Sequence, residues 1–457
     1  MGRNTSSVKR KLLGLTVAAA GLLAITAGPL TRVWGDAASQ QPSAPLIALG
    51  FKFEGAAGCN AAKCHGSPTA NPAPKPAGNE AITWSEKDKH AQAFDALRKY
   101  DKEKMAADPN AIAKALGLKE KPETSPLCTN CHALVVPANL QMPKYNVREG
   151  VTCGACHGPY EKWAESHNQP GGADGLRKKA GYTTLEAQSL PYSSMSPEHM
   201  KLLKTEGLYD TRPILARAEK CTSCHLAIDA KLIEAGHPQP IFELAYYTGL
   251  EPAHWREPQG YWDTKVWAAG QIVCLREAMM QLADRAAGGA SDKLIKDAYN
   301  QALGHLDICR SFAPGALDGP AKDLKAAAGD KAKLATLAKS IAEAATKLQP
   351  AVATITPAAA NTAGAISKIA GDSSIATDAG LRGAQQQALS LASLAGAMKK
   401  GGNPAGIDDV QKMIDEKLLA LVGDEATFKP DAFNAALKDL AAKLQPMLGG
   451  AQPMDLK

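Results

Sequence analysis

The sequence predicts a mainly α-helical protein in two parts: short helices and loops folded around bound cofactors, then a C-terminal helical bundle. Three observations predict it. A cysteine pair followed at once by histidine occurs four times between residues 59 and 225. Strand signals are few in that region, and stretches such as 67–79 and 170–182 cut it into short pieces with proline and glycine. From about residue 263 the composition turns to Ala, Leu and Lys, with apolar residues at helical spacing.

Residues 1–37 read as an export signal. Arg3, Lys9, Arg10 and Lys11 precede an uncharged run from Leu12 to Thr31, and Gly35-Asp36-Ala37 offers a small-residue cleavage site. The rival reading is a retained membrane anchor, since the run is nearly long enough to span a bilayer; Pro29 and the many Ala and Gly residues argue against it. Both readings place the rest of the chain outside the cytoplasm, periplasmic or otherwise exported, and membrane-anchored if the signal is kept. This segment carries Arg3, Lys9, Arg10, Lys11 and Arg32 against Asp36, so it accounts for +4 of the formal +6. The remainder is close to neutral, which excludes an electrostatic case for nucleic acid. Residues 38–48, rich in Ala, Ser, Gln and Pro, read as a linker.

Residues 49–262 form the cofactor region. Cys128-Thr-Asn-Cys131-His132, Cys153-Gly-Ala-Cys156-His157 and Cys221-Thr-Ser-Cys224-His225 share one spacing, Cys-x-x-Cys-His. On one helical turn the two sulfurs face the same way and can add to the two vinyl groups of a haem, while the next histidine becomes the proximal ligand of the iron. Cys59, Cys64 and His65 form a stretched version with four residues between the cysteines, read as a fourth site whose extra residues bulge outward; the alternative is attachment through Cys64 alone. Zinc ribbons also use cysteine pairs. Zinc gives no reason for a histidine after every second cysteine. With 10 histidines in 457 residues, four such placements by chance would arise on the order of once in several million. The reading is four covalently bound haem c groups. Aromatic content is only 5%, and haem macrocycles would supply flat apolar bulk.

Each iron has a second axial position, and its occupant separates electron transfer from catalysis. Six histidines lie outside the motifs. His90 shares a helical face with Phe94 and Leu97. His167 follows a helix predicted over 159–166 and could reach a neighbouring haem more easily than its own. His237 sits in a rigid Gly-His-Pro corner. These three are the candidate distal ligands. His254, beside Trp255, is a further candidate, its alternative being a surface or Trp-stacked residue. His199 opens a helix and His305 lies in the tail, and both are read as structural.

Residues 263–457 read as helices without a chemical signature. Leu334, Leu337, Ile341, Ala345 and Leu348 share a face, as do Ile407, Val410, Ile414, Leu418 and Leu421, then Phe433, Leu437, Leu440 and Leu444 after Pro430. Breaks are expected near 313–320, 350–357 and 401–406. Of ten cysteines, Cys274 and Cys309 are left over and lie on apolar stripes, so both are read as core residues, with a disulfide between them as the alternative.

Residues 55–262 resemble the tetrahaem cytochrome c-554 family of multihaem c-type cytochromes, known from nitrification electron transfer. The matching pieces are Trp84 with His90-Ala91, the run Gly150-Val151-Thr152-Cys153-Gly154-Ala155-Cys156-His157-Gly158-Pro159 with His167, and Cys221-Thr222-Ser223-Cys224-His225 with a later histidine. The resemblance implies haems stacked in close pairs, with His90, His167 and His237 as distal ligands. It also implies an open, five-coordinate haem at Cys128, Cys131 and His132. The family has no counterpart of residues 263–457. The leading function is an exported tetrahaem electron carrier working between redox partner proteins. One alternative is a haem enzyme reducing a small nitrogen or sulfur species at the open iron. Another is a redox subunit docked by its helical tail to a partner or membrane-associated complex.

Overall fold

Helices in the first half begin where the sequence supplies a proline or a short polar cap. The computed structural model describes residues 44–457, except 73–76, 104, 168–171, 182–196, 252–256, 453, 455 and 457. The export segment falls outside the described residues. In chain order the first half carries α1 (Ala44–Ile47), α2 (Ala56–Cys59), α3 (Glu80–Lys87), α4 (Ala93–Arg98), α5 (Pro109–Ala115), α6 (Pro126–His132), α7 (Cys153–His157), α8 (Tyr160–Ser166), α9 (Gly172–Ala180), α10 (Pro197–Glu206), α11 (Ile214–His225), α12 (Ala230–Glu234) and α13 (Leu244–Leu250). Pro109 and Pro126 open α5 and α6, where a missing N–H costs nothing. Asp108 and Asp229 cap α5 and α12 through their side chains. Among the described residues there is no strand, only an isolated parallel bridge between Phe53 and Gln141. The fold is mainly α.

The second half carries α14 (Trp262–Ala287), α15 (Asp292–Arg310), α16 (Pro314–Ala326), α17 (Lys331–Ala353), α18 (Ala359–Gly371), α19 (Ser374–Asp378), α20 (Gly380–Gly401), α21 (Ile407–Met413) and α22 (Pro430–Leu444). The helix α14 is the axis of the bundle, packing against α15, α17, α20 and, from the first half, α11 and α13. Two expected breaks move. Pro314 starts α16 and Pro320 lies inside it, while α17 runs through Pro350 to Ala353. Pro350 falls in the last turn of α17, where little helix remains to be disrupted. After α21 the backbone turns π-helical over Ile414–Leu419. The wider turn shifts the register, so Val422 rather than Leu421 completes the buried row of Val410, Ile414 and Leu418.

One apolar core gathers residues from Ile214 to Met454. It includes Ile214, Leu215, Leu226, Phe242 and Leu244, so it crosses the 262/263 position at which the composition changes. An ion pair of 2.8 Å between Arg276 on α14 and Glu219 on α11 reinforces the join. A smaller core of Leu46, Phe53, Leu134, Val136, Leu203, Tyr209 and Ala216 packs against Ala155 of the third cysteine motif. Cys274 and Cys309 are fully buried free thiols, not a disulfide, and burial pushes both well above the ordinary thiol range.

Candidate haem-binding site

The three regular motifs each end a helix. Cys128, Cys131 and His132 close α6, Cys153, Cys156 and His157 make up α7, and Cys221, Cys224 and His225 close α11. One turn therefore presents both sulfurs and the imidazole together. The stretched motif is built differently. Cys59 ends α2, Asn60–Lys63 are exposed, and Cys64 and His65 follow in a turn.

Two glycines allow the close approaches that set the third motif. Gly150 has φ +75°, and a Cβ there would stand 2.6 Å from the carbonyl oxygen of His90. Val151 N–H donates to that oxygen at 3.1 Å, and Trp84 Nε1 donates to Val151 O at 3.1 Å. Gly158 has φ +83°, and a Cβ there would run into the carbonyl oxygen of Gly207. The expected position of His90 within a longer helix is corrected. The helix stops at Lys87, Asp88 caps a 3-10 turn over Lys89–Gln92, and His90 lies in that turn while Phe94 and Leu97 are buried in α4.

The histidines meet in pairs. His65 and His167 have ring centroids 6.2 Å apart with planes 11° from parallel. His90 and His225 are 6.1 Å apart at 84°, and His132 and His237 are 6.4 Å apart at 76°. Metal–nitrogen bonds of about 2.0 Å and a ring radius of about 1.1 Å put two imidazole centroids roughly 6.2 Å apart when they share one iron. All three pairs meet that spacing. Each joins a motif histidine to one of the three candidate distal ligands. His254 and the side chain of His199 lie outside the described residues. His305 is buried in the tail with Nδ1 2.9 Å from Gln271 Oε1.

The outward nitrogens of five of these rings face acceptors. His65 Nδ1 lies 2.9 Å from Glu80 Oε2, and His90 Nδ1 lies 3.0 Å from Asp88 Oδ1 and 3.9 Å from Glu251 Oε1. His132 Nδ1 is 3.1 Å from Ala93 O, His167 Nδ1 is 2.7 Å from Ala164 O, and His237 Nδ1 is 2.8 Å from Pro238 O. A proton held on Nδ1 leaves Nε2 bare for a metal. His225 instead stacks on Phe242 at 5.1 Å. Its imidazole is held down at about 4 by burial, so it stays neutral, as a ligand must. Burial likewise lowers His132 and His237, while the Glu80 and Asp88 hydrogen bonds raise His65 and His90. The three carboxylates gave little signal in the sequence; Asp88, two residues before His90 in a capping position, gave the only one.

Between His132 and His237 runs an apolar cleft lined by Leu97, Ile112, Leu127, Ile228 and Leu232 together with Cys128 and Cys131. An apolar slot with two sulfurs at its edge and an imidazole on either side fits a covalently attached macrocycle. The resemblance implied an open iron at this motif. The geometry runs against that implication, because His237 stands across from His132.

The sulfurs also lie close to one another across motifs. The thiols of Cys59 and Cys153 are neighbours, as are those of Cys131 and Cys224, and Cys156 lies near Cys221 and Cys224. With haem attached these atoms would be thioether sulfurs.

Residues 58–158 match the family model described as cytochrome c554 and c-prime. That segment is about a fifth of the chain and contains the first three motifs; over it the chain is similar to the c-type cytochromes of the c-554 kind, a family to which covalent haem c and an electron-transfer role belong. No curated protein and no solved structure matches the chain. No helix among the described residues is long and apolar enough to cross a membrane.

Proposed function

We propose that the chain is an exported tetrahaem electron carrier, with haem c on Cys59/Cys64, Cys128/Cys131, Cys153/Cys156 and Cys221/Cys224. His65, His132, His157 and His225 are the proximal ligands. His167, His237 and His90 are the distal ligands of the centres at His65, His132 and His225. The observation that carries this reading is the set of three histidine pairs at 6.1–6.4 Å. Bound haem supplies a one-electron ferric/ferrous couple, and two histidines at each of these three irons favour passing electrons over binding substrate.

The chain's own part is to hold the centres in a row. Sulfur neighbours support the order Cys59/Cys64, Cys153/Cys156, Cys221/Cys224, Cys128/Cys131. The basic and then uncharged N-terminus supports export, and the partners are redox proteins of the same compartment. A carrier is favoured over a reductase because the centre expected to be open has a second histidine across it.

The test is the mass of the denatured chain with the spectrum of the native one. Four haem additions and predominantly low-spin iron are expected. His237→Ala should convert one haem to a high-spin, carbon monoxide-binding form. A mass without the four additions, or mostly high-spin iron in the unsubstituted protein, would sink the reading.

A further inference from the structure

The acceptors behind the ligand rings differ from centre to centre. Behind His65 stands the Glu80 carboxylate, 2.9 Å from Nδ1. Behind His90 stands Asp88 at 3.0 Å, with Glu251 at 3.9 Å. Behind His132 and His237, among the described residues, stand peptide carbonyls, Ala93 O at 3.1 Å and Pro238 O at 2.8 Å. A carboxylate acceptor draws the Nδ1 proton toward itself and gives the ring imidazolate character. The ring then donates more strongly to its metal and favours the ferric form. A neutral carbonyl does so less. The apolar lining of the His132–His237 cleft works in the same direction, because it disfavours the extra positive charge of a ferric iron.

On the tetrahaem reading above, we propose that Glu80 and Asp88 are the positioning residues that order the haem potentials. They hold the His65/His167 and His90/His225 centres more reducing than the His132/His237 centre. The last of these ends the row of centres, so electrons collect there. Each step moves one electron: the iron that gives it goes from ferrous to ferric, and the iron that takes it goes from ferric to ferrous. No proton transfer is required.

Asp88 suits a clean test. It is only 3% exposed, and its Oδ1 also accepts from His90 N–H at 2.8 Å as the cap of the 3-10 turn. Asparagine keeps that cap and the shape while removing the charge. The full chain with its haems attached would be titrated potentiometrically with spectra recorded at each step. Asp88→Asn and Glu80→Gln should each shift one midpoint upward. The His132/His237 centre, identified by the low-spin signal lost in His237→Ala, should stay where it is and titrate highest of the three. Asp88→Glu, which keeps the carboxylate, should return the shifted midpoint toward its original value.

Unchanged midpoints in both charge-removing variants, with four haems counted by mass, overturn the proposal. So does a His132/His237 centre that titrates below the other two. A shift that Asp88→Glu shows as fully as Asp88→Asn marks a purely structural role and overturns it as well. Fewer than four haems overturns the tetrahaem reading itself, and the ordering falls with it.

Discussion

Glu243 shows at the scale of one residue how this protein places charge inside its core. It caps α13, accepting from Ala245 N–H at 3.1 Å and Tyr246 N–H at 2.7 Å, and Ser393 Oγ–H donates to it from α20. It is fully buried, and burial pushes its carboxyl up from 4.5 to about 7, with Asp263 adding to the rise. Below about 4.5 the group is protonated whether the chain is folded or not. Between 4.5 and 7 only the folded state keeps the proton, so stability falls as pH rises through that window. The loss amounts to about 3 kcal/mol. Glu243→Gln should flatten this part of the profile, read from urea midpoints at pH 4.5 and pH 7.5. A variant whose pH profile matches the unsubstituted protein would show that Glu243 does not titrate in this way.

The grouping of each regular cysteine pair with its histidine was legible residue by residue because that geometry is local. Cys221, Cys224 and His225 fall on one turn whatever the rest of the chain does. The pairing of His65 with His167 was not legible, because it depends on how α2 and α8 come together in the fold. His167 was readable as a candidate ligand, but not as the ring that stands 6.2 Å from His65.

At the scale of elements, the chain past residue 262 does more than append a bundle. Helix α14 buries Trp267, Ile272 and Leu275, and the core they belong to also takes in Ile214, Leu215, Phe242 and Leu244. Helix α11, which carries Cys221, Cys224 and His225, therefore shares a core with the tail. The apolar stripes of the tail were plain in the sequence. A stripe names its own buried face but not what covers it, so the continuity with α11 was invisible. Ending the chain at residue 262 would expose that face of α11 and remove Arg276, which pairs with Glu219 at 2.8 Å. The truncated chain should lose the fourth haem or fail to accumulate, as counted by mass and haem stain. A stable 1–262 product with four haems would show that the tail is an independent module.

At the scale of the whole molecule, the three histidine pairs differ in a way that a spectrum can read. The rings of His65 and His167 are 11° from parallel, whereas those of His90 with His225 and of His132 with His237 are crossed at 84° and 76°. Parallel imidazole planes split the two iron d orbitals that overlap with ligand π systems. Crossed planes leave the two nearly equal in energy. The first arrangement gives an ordinary rhombic low-spin resonance, and the second gives a resonance stretched to one large g value. Electron paramagnetic resonance of the oxidised protein should therefore show one rhombic signal and two of the stretched kind from these three centres. His167→Ala should remove the rhombic one, and His90→Ala and His237→Ala one stretched signal each. A rhombic signal lost on substituting His90 or His237 would mean that the histidines pair differently from 65 with 167, 90 with 225 and 132 with 237.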